Sequence, residues 1–151
     1  MYMRLIQSNP LVLSSLSFLL PAIYAYNNKL YVYTILLFIT SIVSVIYWVN
    51  PCTSWRRRCD LIVSKCSFTI FAINGVIYIK EIGNIIIAYS ILYAFIACYY
   101  YSNILYNQRN PNWYYYHMTF HILVMVEQYI VLYSINNYQN HYTIINCYKI
   151  I

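Results

Sequence analysis

Residues 30–49 read LYVYTILLFITSIVSVIYWV, twenty consecutive positions without a charged side chain, an amide or a glycine. An α-helix needs about 20 predominantly apolar residues to cross the hydrocarbon core of a bilayer. The many β-branched and aromatic residues in this run would favour a strand in water. In lipid, however, a spanning segment must satisfy its own backbone polar groups, and the run lacks the polar–apolar alternation of a membrane β-strand. The segment therefore reads as a membrane-spanning helix.

Four further runs follow the same logic. Residues 10–26 form the first, with Pro21 inside it; residues 60–79, 82–101 and 114–135 form the third, fourth and fifth. The expected fold is all-α, a multi-pass transmembrane helical bundle of five spans. The spans make one domain over residues 1–135, followed by a polar carboxy-terminal tail at 136–151. The first run also has the outline of a signal peptide, with Arg4 as its basic start, and its cleavage would leave four spans in the same orientation.

Composition agrees. Of 151 residues, 62% are hydrophobic and only 8% charged, against roughly 25% charged in a soluble domain. Much of the exterior must therefore face something other than water. The 21 tyrosines fit such a chain, because their amphipathic rings suit the headgroup region. Part of the Tyr, Ile and Asn excess reflects AT-rich codons. The formal charge of +6 does not point to nucleic acid, since no basic stripe exceeds three residues. It fits the enrichment of Lys and Arg in cytoplasmic loops. Arg4, Arg56, Arg57, Arg58 and Arg109 fall on one side of the five-span topology, with Lys29, Lys80 and Lys149 on the other. That balance places the amino terminus in the cytoplasm, and Lys65 snorkelling to the same side would add to it. The Arg56–Arg58 cluster reads first as a topology anchor and second as a contact for anionic lipid headgroups.

Five cysteines, Cys52, Cys59, Cys66, Cys98 and Cys147, are an odd set at different depths. They read as small buried hydrophobes rather than a disulfide framework, with acylation open to Cys52 and Cys59 in the loop before the third span. Glycine occurs only at Gly75 and Gly83, which excludes glycine-rich phosphate cradles. Asn74-Gly75 in the third span suits close helix approach.

Few residues could carry chemistry. Asp60 opens the third span, His117 and His121 open the fifth, and Tyr47 and Trp48 close the second, so all belong to one membrane face. His117 and His121 stand one helical turn apart, a spacing that can present two imidazoles to one metal ion. Equally, they follow Trp113-Tyr114-Tyr115-Tyr116, an interfacial aromatic belt in which neutral histidine is comfortable. Gln128 falls on roughly the histidine face and Glu127 well away from it. Glu127 and Lys65 lie inside spans, where charge is expensive; they are expected to pair, with a bond from Glu127 to a nearby Ser or Tyr as the alternative.

Ser44 with Trp48 four residues later, then Asp60, then His117-Met118-Thr119-Phe120-His121 resembles the motif set of a membrane hydrolase superfamily. That superfamily contains alkaline ceramidases, progestin and adiponectin receptors and hemolysin III-like proteins. The resemblance implies seven spans and a zinc held by three histidines, used in the enzymes to cleave lipid amides. By the same resemblance His117 and His121 would bind zinc, Asp60 would position the attacking water and Ser44 would stabilise the oxyanion. Trp48 stands where the family has its first histidine, and two spans have no counterpart. Trp48 is accordingly expected to fill the metal's volume and donate its indole N–H to Asp60 or a carbonyl, while Cys52 or Cys59 offers a substitute thiolate. Three readings follow. One is a non-catalytic structural, lipid-interacting or scaffolding relative of the family, with no cofactor. Another is a zinc-dependent lipid amidohydrolase. The last is a channel or transporter subunit with Glu127 and Lys65 on a polar path. Self-association or assembly with another membrane chain is compatible with each.

Overall fold

The computed structural model describes residues 2–51 and 55–148, with side chains for 9–51 and 55–141. Six helices follow one another: α1 (Tyr2–Leu16), α2 (Leu19–Asn27), α3 (Tyr31–Val49), α4 (Trp55–Tyr78), α5 (Ile82–Asn107) and α6 (Trp113–Tyr148). Five stretches are long and apolar enough to span a bilayer: Asn9–Asn27, Tyr31–Val49, Trp55–Tyr78, Ile82–Asn107 and Trp113–His141. The all-α, five-span architecture read from the sequence is the one observed. Helix continues past residue 135 as the last turns of α6.

The first span is two helices because of Pro21. Proline has no N–H, and its ring clashes with the carbonyl four residues earlier, so the ladder of α1 cannot pass through it. The chain breaks at Ser17–Phe18 and restarts with Pro21 in the first turn of α2, where amide hydrogens have no helical partner anyway. Ser17 Oγ bonds Ser14 O at 2.6 Å across the break.

Two helices stop on left-handed residues that are not glycine. Lys29 (φ 61°) follows α2, and Arg109 (φ 56°) follows α5. Each closes a Schellman motif: Leu30 N–H donates to Ala25 O at 2.8 Å, and Asn110 N–H donates to Leu105 O at 2.9 Å. A left-handed non-glycine residue costs roughly 1–2 kcal/mol. Both residues are cations beside a helix carboxyl end, where the dipole favours positive charge.

α6 is the hub, packing on α1, α2, α4 and α5, and α3 packs on α1, α2 and α4. The larger core joins Ala22 and Ala25 of α2, Leu37 of α3, Phe71 of α4, and Val131, Leu132 and Ile135 of α6. Phe18, Phe95 and Val124 form a second, smaller core. Tyr33 O–H donates to Asn74 Oδ1 at 2.8 Å, tying α3 to α4. Next to it Gly75 meets α6 closely, since an added Cβ would lie 3.5 Å from Val131 Cγ2. Elsewhere α4 and α5 turn large apolar side chains outward, with Val76 75% and Tyr93 78% exposed. In a bilayer that is the surface lipid covers.

Candidate functional site

At one end of the bundle α3 finishes, α4 begins, α5 finishes and α6 begins, and the side chains singled out from sequence meet there. The buried face of α3 runs through Leu37, Ser41, Ser44 and Trp48, so helical periodicity carries Ser44 and Trp48 to the same side. His121 is 5% exposed and Trp48 6%. The two imidazoles lie 4.8 Å apart, centroid to centroid. The Trp48 ring stands edge-on to His117 at 5.0 Å. Trp113 lies 6.2 Å from His117 and 6.1 Å from Trp48, so both indoles crowd the same side of the imidazole.

Serines of the first span connect these groups. Ser14 Oγ donates to Leu11 O at 3.0 Å, and the same oxygen lies 3.0 Å from His121 Nδ1. A hydroxyl has one proton to give, so with that proton on the carbonyl the imidazole N–H donates to Ser14. Ser15 Oγ bonds Leu11 O at 2.8 Å and contacts Ser44 Oγ at 2.9 Å, while Ser41 Oγ donates to Ser15 O at 3.0 Å. Ser44 is also the hydrogen-bonding neighbour of Asp60. On the far side of the histidines, Ser102 Oγ lies 3.4 Å from His117 Nδ1. The result is a polar layer running from Asp60 through Ser44 and Ser15 to Ser14 and His121, with His117 and Ser102 beyond. Asp60 reaches the histidines only through α1, with no direct bond to either among the described residues.

Ser14, Ser15, Ser41 and Ser102 were not singled out from sequence. A signal was present: hydroxyls inside apolar spans turn toward other helices, where they find partners.

Several expectations need correction. Among the described residues the Trp48 indole N–H donates to neither Asp60 nor a carbonyl and is buried without a partner. Lys65 and Glu127 do not pair, because Lys65 is exposed whereas Glu127 is 8% exposed. Glu127 also has no hydrogen-bonded Ser or Tyr among the described residues. Although it points away from the histidines, it is buried between neighbouring helices, because α6 is surrounded on several sides. The neighbouring Gln128 is buried too, with Oε1 lacking a partner among the described residues. The described cysteines are not core hydrophobes: Cys66 is exposed, and Cys59 and Cys98 are half-buried. Cys52 and Cys147, like the side chain of Arg4 and the whole of Lys149, lie outside the described residues or side chains.

Among the described residues, the nitrogen donors at this end are two imidazoles. Protein sites supply three or more ligands, and among the described residues no three His, Cys, Asp or Glu side chains are grouped to hold a metal. His117 and His121 supply two imidazoles, each with Nδ1 beside a serine hydroxyl, and Trp48 covers His117 from the third direction.

Five apolar helices with outward-facing Ile, Val, Phe and Tyr define a class: this is a multi-pass integral membrane protein. Comparison with protein families, curated proteins and solved structures gives no match for the chain.

Proposed function

We propose that the chain is a non-catalytic, lipid-interacting structural protein of its membrane, descended from the seven-span hydrolases and oriented with its amino terminus in the cytoplasm. The observation that carries this reading is Trp48, packed edge-on against His117 at 5.0 Å; by the resemblance, a third imidazole would stand at that position. With that position apolar, the polar layer serves as a helix-joining seam. Its hydroxyls and imidazoles bond one another across α1, α3, α5 and α6 instead of facing a substrate.

Metal analysis of purified protein tests the reading. The unaltered chain is expected to carry no stoichiometric zinc. Trp48→His is expected to gain it, and Trp48→His/His117→Ala to lose it again. Zinc held by the unaltered chain and lost on His117→Ala would replace this reading with the amidohydrolase one. The proximity of Ser44 and Asp60 is what favours that second reading. The orientation rests on the Arg-rich end, and labelling of single cysteines from each side of sealed vesicles checks it. Label reaching residue 109 from outside the cell would reverse it.

A further inference from the structure

At the opposite end of the bundle, the turn between α4 and α5 and the last turns of α6 enclose a cleft of about 190 Å³. Its walls carry Tyr78, Lys80, Glu81, Asn84, Tyr138 and His141. The cleft opens where the apolar part of α4 ends and that of α5 begins, the level at which spanning helices enter the headgroup layer. We infer that this cleft seats the headgroup of one zwitterionic phospholipid.

Charge arrangement is the first argument. Lys80 and Glu81 are adjacent in sequence and both exposed, so a cation and an anion share one small site. Glu81 gives one oxygen, Oε2, to Asn84 Nδ2–H at 2.8 Å. That bond fixes the carboxylate, and its other oxygen has no partner among the described residues. Lys80 forms no ion pair with it. A ligand with a phosphate and an ammonium group a few ångströms apart would use both charges: phosphate on the Lys80 ammonium and the His141 ring N–H, ammonium on the open Glu81 oxygen. A purely anionic ligand would leave its negative charge beside Glu81.

The aromatic wall is the second argument. Tyr78 and Tyr138 meet edge to face at 5.3 Å, which presents a ring face of the kind that attracts alkylammonium groups. The third is what lies next to the cleft. Ile82 and Ile86, one turn apart on α5, are 76% and 61% exposed. They lie on the face of α5 opposite Asn84 and, with Val76 of α4 75% exposed, put lipid-facing apolar surface on both helices at the cleft's end of the bundle. A soluble headgroup analogue would have no acyl chains to lay on that surface. The inference needs only that the chain span a bilayer, and it stands whether or not the Trp48 end ever held zinc.

Native mass spectrometry of the detergent-purified chain with added lipid tests it. The probes are phosphatidylethanolamine, phosphatidylglycerol and soluble phosphoethanolamine. The expected result is one phosphatidylethanolamine retained per chain, in preference to phosphatidylglycerol, with phosphoethanolamine a weak competitor. Lys80→Ala and Glu81→Gln should each weaken retention about tenfold, the scale of one charge-assisted contact. Lys29→Ala at the same end should not, and circular dichroism should show unchanged helix in all three variants. Retention unaffected by Lys80→Ala and Glu81→Gln would overturn the site. Equal binding of phosphatidylglycerol would overturn the zwitterion preference. Phosphoethanolamine bound as tightly as the lipid would overturn the lipid itself as the ligand. None of these outcomes bears on zinc, so failure here leaves the Trp48 test intact.

Discussion

Ser14 and His121 join the first span to the last, and breaking that bond should cost more from one side than from the other. Ser14→Ala leaves His121 Nδ1 without its 3.0 Å partner in a side chain only 5% exposed. An unsatisfied buried polar group costs about 1–3 kcal/mol, and interhelical hydrogen bonds in membrane proteins reach about 1.7 kcal/mol, so a loss of about 1.5 kcal/mol is expected. His121→Leu leaves the Ser14 hydroxyl with its 3.0 Å bond to Leu11 O. Its cost should come from lost ring contacts with Phe18 at 5.5 Å and His117 at 4.8 Å, not from an orphaned hydroxyl. The double variant should then be less damaged than the sum of the singles by about 1 kcal/mol, roughly a fivefold difference in the folding equilibrium. Steric trapping in bicelles, read as the fraction unfolded at fixed trap concentration, measures all three. Ser90→Ala serves as comparator, since that hydroxyl is exposed and bonds only Ile86 O of its own helix; it should change stability by less than about 0.5 kcal/mol. Strict additivity of the Ser14 and His121 changes would refute a bonded seam between α1 and α6.

Other expectations follow from the same geometry. Trp48→Phe removes a buried N–H that has no partner among the described residues, a group whose burial costs about 1–3 kcal/mol; the smaller ring gives back packing, so thermal stability should stay within about 1 kcal/mol of the unaltered chain. Gly75→Ala should hold or raise stability by up to about 1 kcal/mol, because alanine is the better helix former and the new Cβ would meet Val131 Cγ2 at an ordinary 3.5 Å. Gly75→Leu should lose about 1–3 kcal/mol by overpacking in the same trapping assay. Lys29→Gly should raise stability by about 0.5–1 kcal/mol by removing strain at φ 61°, and a loss of stability there would show the cation's place at the helix end to matter more.

The spans were legible because apolar runs of the right length are a one-dimensional signal. Residues 30–49 matched α3 to within a residue, and residues 82–101 located α5 although it runs six residues further, to Asn107. The sequence also carried Ser44, Trp48, Asp60, His117 and His121 to one end, because depth follows from span order. What it did not carry was rotation. A helix apolar on all sides gives no stripe from which to read its inward face, and so the proposed Lys65–Glu127 pair failed: α4 turns Lys65 outward while α6 turns Glu127 inward. The serines of α1 were missed for a related reason. Their partners lie 29 positions away at Ser44 and 107 positions away at His121, pairings that only the helix arrangement creates.

That α6 touches α1, α2, α4 and α5 bears on how the chain is made. Val131, Leu132 and Ile135 leave the ribosome after the four preceding spans, yet they share one core with Ala22, Leu37 and Phe71. Helices α1 to α4 can meet through α3 beforehand, whereas α5, whose principal neighbour is α6, must wait in lipid for it. A chain stalled near residue 112 would hold α1 to α4 together and leave α5 undocked, open to membrane quality-control proteases until α6 arrives.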